Sequence, residues 1–356
     1  MTRSALYQVH EAMGPAFGEY FGWELPCRYS SSEREYDAAR ERAALIDRSY
    51  IGRLEMRGED ALDLLNRLST NEIAELPEGN GLTTVLTSSK GRVVDHLTLY
   101  YRPGHWLLLT GPRNRDVVIS WLDEFTFGEE IELKDVTEST AMLTLLGPQA
   151  RAILETLEVQ GLDGLEPHHG VSASIQDIAV YIALESPLWG RSYNLIVDAD
   201  DAPRVWEALL EKGRDLGLEP LGTDAYEALR IEAGVPASGA ELSEEVNPLE
   251  AGLGSSVSFT KGCYVGQEVV ARLNTYDKVK RHLVKMRFES APDPGSALEL
   301  DGKKVGTLTS ATSIPGDGRV VALGYVAKAH SRPGVKVISA TSNGQSPGEI
   351  VGLAGH

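Results

Sequence analysis

Cysteine is nearly absent: 356 residues carry two, Cys27 and Cys263. No disulfide framework follows from that pair, and a four-cysteine iron–sulfur site within one chain is excluded. A reducing, cytoplasmic setting is expected. No apolar run approaches the roughly 20 residues of a membrane span, and the opening MTRSALYQVHEAMG lacks the continuous apolar stretch of a secretory signal, so no membrane role is expected. Neither a G-x-x-x-x-G-K-[ST] loop nor a G-x-G-x-x-G opening a helix occurs, so nucleotide binding by those routes has no support. Basic residues are outnumbered, 34 against 52 acidic, for a net charge of −18. Such a surface repels phosphate backbones and disfavours nucleic acid as a partner. No metal site is expected either. His168 and His169 are adjacent, their side chains diverge, and no further ligand lies at metal-binding spacing. The GSSVS stretch lacks the nucleophile-elbow pattern.

What is present reads as an α+β chain of two or three domains. EREYDAARERAALI carries Tyr36, Ala39, Ala43 and Ile46 at helical spacing and predicts one helix. RLEMRG predicts a strand and GEDALDLLNRLS a second helix. GLTTVLTSSKGRVVDHLTLYYR predicts a β-hairpin turning at Ser-Ser-Lys-Gly, followed by a strand at HWLLLT and a helix at RDVVISWLDEF. From about residue 140 a similar texture recurs: strand AMLTLLG, helix PQARAILETL, strands near 178–184 and 193–197, and helix APRVWEALLEKGRDLG. The acidic run DADD is expected to cap that last helix. GTDAYEALRIEAG predicts a further helix closed by Gly234. After Arg281, five short β-runs separated by Pro-Gly and Asp-Gly turns predict a small β-barrel.

Three places invite chemistry. Alternation along RVVDHLTLYYR puts Asp95 on the apolar face with Val93, Leu97 and Leu99. A carboxylate there needs a partner, and two readings stay open: a buried salt bridge or hydrogen bond, or a group that orients or protonates a ligand nitrogen. Arg230, in LRIEAG, is either a surface ion pair or a clamp for an anionic ligand tail. Cys263 sits in KGCYVGQE, between Gly262 and Gly266 and before a short predicted helix. Nearness to that helix N-terminus and to Lys261 favours a thiolate, and the alternative is a small residue packed beneath the turn. Gln267 and Glu268 are expected to satisfy first-turn amides.

FGWELPCRYSSSEREYDAARERAALIDRSYIGRLEMRGEDAL resembles the opening of the folate-dependent T-protein (aminomethyltransferase) superfamily, NPLEAGLG resembles its later signature, and VALGYVAKAHSRPGVKV resembles its terminal domain. The resemblance implies a three-domain cloverleaf around a central pocket: a folate-binding α+β domain of 1–52 plus 138–280, an inserted α+β domain of 53–137, and a barrel of 281–356. KGCYVGQE is similar to the signature of YgfZ-type folate-binding proteins. That likeness implies a cytoplasmic, tetrahydrofolate-binding accessory protein for iron–sulfur cluster assembly or repair, with iron–sulfur proteins as partners. The alternative is a folate-dependent aminomethyltransferase or demethylase. Against that alternative stand two departures from the T-protein pattern: His96 replaces its second hairpin aspartate, and LWGR, Leu188 to Arg191, replaces its Tyr-Thr-Gly-Glu. Carried over by position, Asp95 and Arg230 face the folate, Ile51 and Trp189 line its cavity, and Cys263 is the functional thiol in a loop shaped by Lys261, Gln267 and Glu268.

Overall fold

The structure, a computed structural model, describes residues 1–185, 191–342 and 344–355. The chain forms two compact units, one of residues 1–62, 73–83 and 97–226, the other of residues 63–72, 84–96 and 227–356.

The first unit holds a six-stranded sheet in the order Gly170–Ile175, Ile178–Glu185, Arg191–Asp198, Thr140–Gly147, Ala43–Asp47, Leu218–Pro220. In its antiparallel register Leu143 pairs with Leu195 on one side and Asp47 on the other. Because side chains alternate between faces, Leu143, Leu145, Leu195 and Val197 form one core with Ile153 and Leu154 of helix Ala150–Thr156 and with Val205, Trp206 and Leu209 of helix Ala202–Gly213. Met142, Tyr181, Ala183 and Ile196 form another with Tyr50, Ile51, Tyr100 and Leu107.

EREYDAARERAALI is not one helix. Helix Ser32–Glu41 is followed by Arg42 at φ −134°, ψ −100°, and then by strand Ala43–Asp47, whose five residues are all buried. A strand covered on both faces reads as an unbroken apolar run, and its first residues happened to continue the helical spacing.

A second sheet runs in the order Gly81–Thr87, Val93–Arg102, His105–Leu109, Arg53–Arg57, Glu132–Asp135. The predicted hairpin turn closes through Ser88 N donating to Arg92 O at 2.9 Å. The edge strand Glu132–Asp135 has no apolar alternation and gave no sequence signal. Helices Ala61–Leu68 and Arg115–Glu124 lie where periodicity puts them. Asp201 takes the N-cap position of its helix, yet its side chain makes no capping hydrogen bond.

The second unit contains a closed barrel in the order Arg281–Phe288, Val320–Ala327, Lys303–Ser313, Ala297–Leu300, Lys336–Thr341, Gly344–Leu353. Val284, Met286, Leu298, Leu308, Ala322 and Ile350 fill it. Five of these strands match the predicted β-runs. The sixth, GQSPGEIVGL, was hidden by its proline and glycines, residues that normally argue against a strand. Gly348 is there for space: a Cβ at this position would lie 2.5 Å from the Phe288 ring. The architecture is two α+β sheet-and-helix modules and, among the described residues, a C-terminal six-stranded barrel.

Candidate functional site

Asp95 lies in strand Val93–Arg102 with no exposed surface. Ser238 Oγ donates to its Oδ1 at 3.1 Å. Desolvating a carboxylate is expensive unless hydrogen bonds replace water, and the hydroxyl provides one. His96, the next residue, holds its Nε2 3.0 Å from Ser256 Oγ.

Arg230, on helix Thr223–Ala233, is buried rather than at the surface. Its guanidinium donates to both carboxylate oxygens of Glu227, to Glu241 Oε2 at 3.0 Å, to Val235 O at 2.8 Å and to Ser310 Oγ at 3.3 Å. All three of its nitrogens are thus engaged by protein acceptors. The guanidinium cross-links a helix, a loop and a barrel strand.

The KGCYVGQE segment is a built loop. Gly266 takes φ +84°, and a Cβ there would sit 2.5 Å from Ser88 O, so the backbone comes hard against the hairpin turn. Thr87 Oγ1 donates to Val265 O at 2.5 Å. Gly262, in contrast, has open space around its missing Cβ. Lys261 Nζ donates to the backbone oxygens of Asn66 at 2.8 Å, Ser69 at 3.0 Å and Asn71 at 2.5 Å, and to Asn66 Oδ1 at 2.8 Å. A cation at the C-terminal end of helix Ala61–Leu68 also complements its dipole. Burial pushes the Lys261 pKa down to about 8, against the opposing pull of Glu72. The lysine expected to act on the thiol is therefore committed to anchoring the loop. Gln267 Nε2 donates to Gly262 O at 3.2 Å, tying the loop together instead of satisfying helix amides, and Glu268 is exposed on the first turn of helix Gln267–Thr275. Tyr264 is buried, which pushes its pKa up to about 12, while its neighbour Cys263 is exposed. The packed-residue reading of the cysteine is set aside.

In the first unit Ile51 is buried with Tyr50, Tyr100, Met142 and Tyr181. The Tyr100 and Tyr181 rings meet edge to face at 5.5 Å, and both hydroxyls are buried with no partner at bonding geometry among the described residues. Arg48 lies 5.4 Å from the Tyr226 ring centre. Burial opposes the Arg48 charge, but Tyr226, Tyr50 and Glu185 outweigh it and hold its pKa above the ordinary arginine value. Arg53, fully buried, donates to the backbone oxygens of Ser49, Ile51, Thr137 and Thr140 and so fixes the segment between Arg48 and Ile51. Of these residues, only Ile51 was singled out by the family resemblance, and the tyrosines and arginines around it carry no periodic signal. Trp189 lies outside the described residues, as does most of LWGR.

Residues 6–261 match the GCVT N-terminal domain model, and residues 281–354 match the glycine cleavage T-protein C-terminal barrel domain. An aminomethyltransferase from Halothermothrix orenii is 29% identical over 99% of this chain and 99% of its own. Another from Streptomyces avermitilis is 32% identical over 98% of this chain and 96% of its own. The crystal structure of glycine cleavage system aminomethyltransferase T from Bartonella henselae has the same fold, with a TM-score of 0.88 at 24% identity over 98% of this chain and 96% of that one. Both domain models fall in order along nearly the whole sequence, and the chain belongs to the glycine cleavage T-protein family.

Proposed function

We propose that this protein is a folate-dependent aminomethyltransferase, which passes the one-carbon unit of an aminomethyl donor to tetrahydrofolate. Proteins of that name match it along its full length. The observation that carries the reading is Asp95, a carboxylate without exposed surface, held by a hydroxyl on an otherwise apolar strand face. A fixed negative charge in a desolvated position is strong where positive charge develops, far more so than in water. It also suits the N–H donors of a pterin. Tetrahydrofolate supplies the nitrogen that accepts the carbon, and Asp95 supplies the electrostatic complement. We assign the folate-binding domain to residues 1–52 with 138–280, the inserted domain to 53–137 and the barrel domain to 281–356. Purified protein incubated with tetrahydrofolate and an aminomethyl-dihydrolipoyl donor is expected to yield methylene-tetrahydrofolate and ammonia. Yield no higher than in the protein-free mixture overturns the proposal.

A second reading is favoured by one feature, the exposed Cys263 in its anchored loop. It is that of a tetrahydrofolate-binding accessory to iron–sulfur proteins, working through that thiol in a reducing cytosol. Cys263→Ser separates the two: full transferase turnover in the variant removes the thiol from the reaction. Restored iron–sulfur enzyme activity in deficient cells by the wild type, and not by the variant, supports the accessory role.

A further inference from the structure

We propose that Arg230 and Glu241 are positioning residues, which set the Ser238 hydroxyl against Asp95. The inference rests on the transfer reaction proposed above, and it assigns how the reactive carboxylate is kept ionised and aimed.

The loop 235–242 follows helix Thr223–Ala233 and carries Ser238. Arg230 grips it at Val235 O and at Glu241 Oε2, while Glu227 holds the same guanidinium from within the helix. Glu241 has almost no exposed surface, and its carboxylate accepts from three protein donors. Oε2 also accepts from Ala237 N at 3.0 Å, and Oε1 accepts from Ser310 Oγ at 2.6 Å. The backbone completes the closure, with Ala237 O accepting from Glu241 N at 2.9 Å and from Leu242 N at 3.0 Å. Ser238 sits between Ala237 and Gly239, the latter at φ +83°, inside that clamp.

A serine on an unrestrained loop samples its three rotamers, and only one can serve a given acceptor. Here the backbone on both sides of Ser238 is fixed by a buried ion pair, whose disruption leaves an uncompensated charge away from water. The clamp therefore specifies the one geometry in which Ser238 Oγ reaches Asp95 Oδ1. A hydrogen bond donated to a carboxylate favours its ionised form, and the ionised form is what an electrostatic role requires. Arg230 and Glu241 act on the reaction through Ser238, without touching the ligand.

The test is the pH dependence of turnover for the wild type, Ser238→Ala, Glu241→Gln, Arg230→Lys and Arg230→Met, each first shown to be folded by its thermal transition. Ser238→Ala is expected to move the acid limb of kcat to higher pH by about one pH unit, with the KM for tetrahydrofolate changed by less than about twofold. Glu241→Gln is expected to move the limb in the same direction. Arg230→Lys should retain more of the wild-type profile than Arg230→Met. An unmoved acid limb in folded Ser238→Ala or Glu241→Gln overturns the inference. So does a rise in KM alone, which would return Arg230 to ligand binding. Carboxyl ¹³C titration of Asp95 in aspartate-labelled protein reads the same coupling without turnover. If the wild type proves inactive, the transfer reading falls, and an Asp95 titration identical in the wild type and Ser238→Ala then sinks the positioning role as well.

Discussion

Lys261 Nζ lies 2.8 Å from both the backbone oxygen and the side-chain oxygen of Asn66, a residue 195 positions earlier in sequence. Together with Ser69 O and Asn71 O this makes four oxygens converging on one nitrogen. Removing the donor leaves buried acceptors unsatisfied. Lys261→Met is expected to lower stability by about 3 kcal/mol in urea denaturation. Lys261→Arg should not restore it, because a planar fork cannot occupy a cage built around a point charge. A Lys261→Met midpoint equal to the wild type's would show that the cage does not stabilise the fold.

The same lysine shows where sequence reading stops. Its spacing to Cys263 is local and visible, whereas its partners lie on a helix end brought in by the fold. Asp95 was legible because a charge breaking a period-two apolar pattern stands out in one strand. Ser238 and Glu241 were not, since a serine and a glutamate in a Gly-containing loop carry no periodicity and their roles exist only once the loop closes. Most helices and barrel strands were legible from hydrophobic spacing. Ala43–Asp47 was not, because a central strand with both faces covered loses the alternation that identifies strands.

Asp95→Asn keeps the shape and the acceptor for Ser238 Oγ while deleting the charge. Turnover is expected to fall by about 10²–10³, the usual range for removing one electrostatic contact to a transition state. The thermal transition should stay close to wild type, since a neutral buried side chain avoids the desolvation of a carboxylate. A variant that unfolds at markedly lower temperature would instead mark Asp95 as a structural ion, and one with full turnover would remove it from the chemistry.

The two cysteines should differ in reactivity. Cys263 is exposed, whereas Cys27 is half-buried with its Sγ donating to Ala16 O at 3.1 Å. Burial pushes the Cys27 thiol pKa up, and Asp224 adds to the rise, so less thiolate is present near neutral pH. Iodoacetamide on native protein is expected to label Cys263 first by at least about tenfold in rate, read by peptide mass spectrometry. Denaturant should bring the two rates together. Equal labelling of the native protein would contradict the exposures described above.

Acid stability turns on Asp47. His10 Nε2 lies 3.1 Å from Asp47 Oδ2, Ser4 Oγ donates to the same oxygen at 2.6 Å, and Ser49 N donates to Oδ1 at 2.9 Å. Tyr29 closes the far side of His10 with its hydroxyl 2.8 Å from Nδ1. Burial pushes the Asp47 pKa up, but the hydrogen bond and the positive charge that His10 brings when protonated outweigh it, with Ser4 and Ser49 adding to the effect, so the folded-state value lies below the ordinary 3.8. The unfolded chain therefore binds the proton more readily than the folded one. The resulting contribution is fully present above the ordinary value and is lost as pH falls through the lower folded-state value. Urea midpoints measured from pH 7 to pH 3 should fall more steeply below about pH 4 for the wild type than for Asp47→Asn. Near pH 7 the variant should be less stable by about 3 kcal/mol, the penalty of leaving His10 and the two donors without their carboxylate. Parallel curves for the two proteins would mean that Asp47 titrates alike in the folded and unfolded chains and that another carboxylate governs acid unfolding.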